Sequence, residues 1–82
     1  MRKKQLKPVY YKGQGLVERE IAILKLICID HTNESAGQKL ELSKRTVEGY
    51  RERLLIKTGT KSTAGLVLYA VKYGYCKVRI LV

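Results

Sequence analysis

Acidic residues are scarce in this chain, histidine and proline each occur once, cysteine occurs twice, and long apolar runs are missing. Each absence excludes something. Without a run of roughly 18 to 20 apolar residues no segment is expected to span a bilayer. Met1 to Lys4 are charged but no apolar stretch follows them, so no secretory signal is expected and the cytoplasm is the expected compartment. Cys28 and Cys76 stand far apart, in no CxxC, and with the single His31 they cannot complete a four-ligand zinc site. No metal is therefore expected, and both cysteines read as reduced thiols, with Cys28 a small hydrophobe in an apolar stripe. One histidine, no carboxylate cluster and no glycine-rich phosphate loop leave no set of acid, base and nucleophile, so catalytic residues, enzyme activity, a cofactor and a small-molecule ligand are not expected.

What is abundant is positive charge. Seventeen Lys and Arg against seven Asp and Glu give a formal charge of +10, a surface that attracts polyanions. Duplex DNA, RNA, anionic lipid and acidic protein all fit that field. The length, 82 residues with 45% apolar content, suits one domain, because a chain this small buries only about 60 to 65% of its unfolded surface.

The pattern divides the chain into three parts. Residues 1–15 carry Arg2, Lys3, Lys4, Lys7, Lys12 and the only proline without helical periodicity; they read as a basic arm or linker, either laid along phosphates or simply solvated. Residues 16–75 carry the domain, and 76–82 form a tail. Ile21, Leu24, Ile27 and Cys28 recur at helical spacing, with Glu18 and Glu20 near the positive end of the helix dipole, and predict a first helix over 17–30. Thr32 is an N-cap for a short second helix to Gln38 or Lys39, which Gly37 weakens. Leu40 and Leu42 flank a tight turn, and Ser43 offers the N-cap hydroxyl of a third helix over 44–57.

The third helix decides the character of the domain. At 100° per residue, Val47, Tyr50 and Leu54 form an inward stripe with Arg51 at its edge, while Arg45, Glu48, Gly49, Glu52, Arg53 and Ile56 point away. Such a mixed face suits contact with a grooved surface better than plain solvation. A last helix runs from Ser62 to about Tyr73, with Gly74 as its stop. Leu66, Tyr69, Ala70 and Tyr73 form one of its stripes, and Val67 and Val71 a second. Either a partner chain or the flanking arms must cover the surplus apolar surface. Tyr75 to Ile80 alternates weakly, and either pairs with Val9-Tyr10-Tyr11 or frays.

Together these elements make a helix-turn-helix with a scaffold helix before it and a support helix after it. The string Leu16-Val17-Glu18-Arg19-Glu20, then Leu24 and Ile27, Thr32-Asn33, Leu40-x-Leu42-Ser43-xx-Thr46-Val47 and Lys57-x-Gly59 resembles the DNA-binding domain of the LuxR, NarL and FixJ type. Thr46 to Arg51 and Ala64 to Ala70 are similar to output domains of two-component response regulators. The resemblance implies an all-α, four-helix bundle-like domain without a winged element. It implies transcriptional regulation through double-stranded DNA, a homodimer through Leu66, Val67, Tyr69, Ala70 and Tyr73, and contact with RNA polymerase. Glu48, Gly49 and Glu52 match positions that face the major groove, and Arg45 lies beside them. Thr32, Asn33, Ser43, Thr46, Lys57 and Lys61 match positions that meet phosphates or seat the helix, and Lys44, Arg51 and Arg53 add basic groups for the same backbone. Three positions depart from the family pattern: Ala36-Gly37 replaces a branched apolar residue followed by alanine, Tyr50 a frequent histidine, and Thr63 a frequent basic residue.

A helix of about 14 residues, roughly 21 Å long, fits a major groove about 12 Å wide. Glutamates there discriminate rather than attract, since a carboxylate accepts from cytosine N4 and repels a wrong edge. The rival expectation is a basic module that binds protein or membrane through the same scaffold, which Glu48, Glu52 and Ile56 keep open.

Overall fold

The computed structural model describes residues 15–77. It contains four helices: α1 (Glu18–Cys28), α2 (Asn33–Leu40), α3 (Lys44–Thr58) and α4 (Thr63–Lys72), with no strand among the described residues. The expected partners in a terminal strand pair, 9–11 and 78–80, lie outside them. So does nearly all of the basic arm.

Hydroxyl side chains start three of the helices at the positions the sequence marks. Thr32 Oγ1 accepts from the Ser35 N–H at 3.0 Å, and Ser35 Oγ returns the favour to the Thr32 N–H at 2.9 Å, a reciprocal capping box built on serine. Ser43 Oγ accepts from the Thr46 N–H, and Ser62 Oγ from the Gly65 N–H. Only α1 lacks a polar cap residue. There Glu20 reaches back and accepts the Val17 N–H at 3.0 Å.

All four helices end the same way. His31 bonds to Leu26, Leu42 to Gly37, Thr60 to Leu55 and Tyr75 to Ala70, each an N–H reaching five residues back to a carbonyl of the last turn. This closure needs a left-handed residue one step earlier. Gly59 and Gly74 supply it freely, whereas Asp30 at φ 71° and Glu41 at φ 60° adopt it with a side chain. The left-handed Asp30 is why α1 stops at Cys28, before the expected residue 30.

The core takes Ile23, Leu24, Leu26 and Ile27 from α1, Ala36 from α2, Val47 and Leu54 from α3, and Leu66, Tyr69 and Ala70 from α4. Of the residues expected at a dimer contact, Leu66, Tyr69 and Ala70 are buried inside the domain. The reason is that α1 is apolar on more than one side, so α4 must cover what α2 and α3 leave. Tyr73 is half-buried beside Tyr69, with ring centroids 4.7 Å apart. The opposite face carries exposed Ala64 and Leu68 and half-buried Val71, at helical spacing, with Leu68 71% exposed.

Gly37 acts differently from the loosening that propensity predicts. A Cβ built there would sit 2.5 Å from the Leu42 carbonyl oxygen. The missing side chain lets α2 close onto the turn that leads into α3, and the departure from alanine at this position tightens the motif.

Candidate nucleic-acid interface

Val47 and Leu54 fix the rotation of α3 by entering the core, and half-buried Tyr50 flanks them. The opposite side is then determined: Arg45, Glu48 and Glu52 are exposed, Gly49 is half-exposed between them, and Ile56 is 61% exposed one turn further on. The four residues expected to meet bases thus share one outward face. Lys44 and Lys61 are exposed as well, and neither they nor Arg45 enter an ion pair among the described residues.

The remaining expected phosphate ligands are less free. Thr32 and Ser43 spend a hydroxyl lone pair on capping, and Thr46 Oγ1 accepts from Ser43 Oγ at 2.9 Å. Asn33, the first residue of α2, is half-buried. Arg51 donates to Thr63 Oγ1 and ties α3 to the start of α4. Arg53 lies with its guanidinium 4.6 Å above the Tyr50 ring and its Nε 3.7 Å from Glu20 Oε2, yet half of its side chain remains in solvent. Lys57 is the most committed: its Nζ lies 2.9 Å from Glu20 Oε1 and donates to the Gly15 carbonyl at 2.9 Å. Its charge is already compensated within the fold.

Glu20 is therefore the functional residue that sequence reasoning missed. It is 1% exposed and is the one charged side chain among the buried described residues. The dipole argument accounts for a carboxylate near the start of α1, but not for one at 20 in register with Ile23, Leu24 and Ile27, on the buried side of the helix. That register was the available signal: a charge on an apolar stripe must find a partner. Here it finds two cations on α3, and so holds the exposed helix against the scaffold.

A capped helix seated by a buried ion pair, preceded by a short helix and a tight turn, with a bare outward face edged by unpaired cations, defines a helix-turn-helix DNA-binding domain. Comparison with known proteins gives the family: the description "Bacterial regulatory proteins, luxR family" matches residues 14–70, and the chain belongs to that family. It is similar to a putative transcriptional regulator of Pseudomonas aeruginosa, 33% identical over 60 residues, covering 73% of this chain and 29% of that protein. It is also similar to the oxygen regulatory protein NreC of Staphylococcus aureus, 40% identical over 57 residues, covering 70% of this chain and 26% of NreC. The chain thus corresponds to under a third of these relatives' length. No solved structure matches it. Membership in this family makes the domain a DNA-binding module of transcription regulation. No described helix is long and apolar enough to cross a membrane.

Proposed function

We propose that the domain binds specific sequences in duplex DNA by laying the Arg45, Glu48, Gly49 and Glu52 face of α3 in the major groove, as the output module of a response regulator. The observation that carries this reading is the outward face itself, presented on a helix whose opposite side is locked by Val47, Leu54 and the Glu20 ion pair. Lys44, Arg45 and Lys61 compensate phosphates, with Arg53 reaching the backbone from its perch on Tyr50. The N–H groups at the starts of α2 and α3 add uncharged donors. Lys57 positions α3, while Arg51 sets the spacing of α3 and α4. Dimerisation uses the outer face of α4, where Val67, Leu68 and Val71 follow Ala64, in place of the buried stripe. Contact with RNA polymerase belongs to the same reading, as does residence in the cytoplasm.

Selection of bound DNA from a random pool tests it. A two-fold symmetric motif with two half-sites is expected, and the Glu48→Ala, Glu52→Ala pair should return a different motif. An unchanged motif would remove the base-reading role. Affinity should fall with a slope of about 0.9 in log affinity against log salt for each phosphate neutralised, and a slope below about 2 would leave backbone docking unsupported. Binding to an acidic protein or a lipid surface with no DNA shift at low salt would favour the rival module, to which exposed Ile56 lends an apolar contact.

A further inference from the structure

Side chains from two helices converge on one exposed guanidinium. Tyr50 and Arg53 stand three residues apart on α3 and are neighbours on its surface. Side chains on a helix lean back toward its N-terminus, and Arg53 does so: its guanidinium carbon lies 4.6 Å from the centre of the Tyr50 ring, and its Nη1 3.9 Å from where a Cβ on Gly49 would stand. The ring is itself held, half-buried and packed against the core. From α1, Glu20 Oε2 faces the Arg53 Nε at 3.7 Å, an ion pair too long for a hydrogen bond.

The guanidinium is thus tethered but not spent. Its side chain is 53% exposed, and among the described residues no hydrogen bond engages either Nη atom. A planar fork of such donors matches two phosphate oxygens at once. The ring and the carboxylate hold the group and leave those donors available.

We propose that Tyr50 is a positioning residue for DNA binding: its ring, with Glu20 attracting the Nε, fixes the Arg53 guanidinium in the orientation that meets a backbone phosphate. The inference rests on the DNA-binding reading above and deepens it, because it gives a packing residue a share in affinity. A long arginine side chain loses rotamer freedom when it docks, and that loss weakens binding. On Tyr50 the freedom is already surrendered in the free domain, so less remains to be lost at the phosphate. The ring stays useful in the complex, since a cation drawn to a π face still offers its edge N–H groups to an oxygen.

The test is a double-mutant cycle on binding to a duplex recovered from the random-pool selection, read at several salt concentrations. Arg53→Ala should weaken binding about tenfold and lower the slope of log affinity against log salt by about 0.9. Tyr50→Leu should weaken it about threefold with the salt slope unchanged, and should cost nothing further in the Arg53→Ala background. Tyr50→Phe, which keeps the ring, should bind like the wild type. In the free domain the ring current should shift the Arg53 δ protons upfield in wild type and Tyr50→Phe, and not in Tyr50→Leu. An equal loss from Tyr50→Leu in both backgrounds would make Tyr50 structural, and an equal loss from Tyr50→Phe and Tyr50→Leu would move the effect to its hydroxyl; either result overturns the proposal. So does wild-type binding that Arg53→Ala leaves unchanged. A wild type that shifts no duplex at low salt would overturn the DNA-binding reading and the proposal together.

Discussion

The Glu20 carboxylate and the Lys57 ammonium, 37 positions apart, meet at 2.9 Å with the carboxylate all but excluded from solvent. The same oxygen accepts the Val17 N–H that begins α1. One buried group thus caps α1 and anchors α3, so its loss is felt at both.

Replacing Glu20 with glutamine should lower unfolding free energy in urea by about 1–3 kcal/mol, because Lys57, 24% exposed, loses its partner while only partly reachable by water. Lys57→Met should cost less in the Glu20→Gln background than in the wild type. Strictly additive costs would show that the pair does not couple the helices.

Two single changes flanking the end of α2 should move stability in opposite directions. Gly37→Ala drives a methyl into the Leu42 carbonyl, 2.5 Å from the ideal Cβ position, and should cost about 1–3 kcal/mol. Glu41→Gly relieves a left-handed residue at φ 60° and should gain up to about 1 kcal/mol after the added freedom of the unfolded chain is counted. A stabilising Gly37→Ala, read from denaturant midpoints, would mean that the turn relaxes away from α2.

Gly49 separates folding from binding. A Cβ there meets only Arg53 Nη1, at 3.9 Å, so Gly49→Ala should stabilise the free domain by roughly 0.5–1 kcal/mol through helix propensity. If the glycine admits close approach to a base pair, the same change should weaken specific binding in a shift assay. Unchanged or tighter binding would make Gly49 a surface glycine with no role at the groove.

Stability should decline in alkali. The Cys28 thiol is raised from 9.0 to about 12, so above about pH 9 the unfolded chain releases a proton that the folded one retains until about pH 12, and unfolding gains free energy across that window. Burial also raises Tyr75, which adds in the same direction above about pH 10. Melting temperature should fall between about pH 9 and pH 12, and Cys28→Ala should flatten the decline. An equal fall in that variant would assign the alkaline loss to other groups.

Much of the domain follows from spacing along the chain. The hydroxyls at Thr32, Ser43 and Ser62 mark three helix starts, and the 100° periodicity of α3 separates Val47 and Leu54 from Arg45, Glu48 and Glu52, because capping and amphipathicity act over three to seven residues. Tertiary structure alone decided which stripe of α4 is core, why Gly37 must lack a Cβ, and that Lys57 answers Glu20. Each of these is a contact between distant segments, whose existence depends on how four helices share one small interior. Local pattern shows that a charge or an apolar stripe needs a partner, and only packing chooses it.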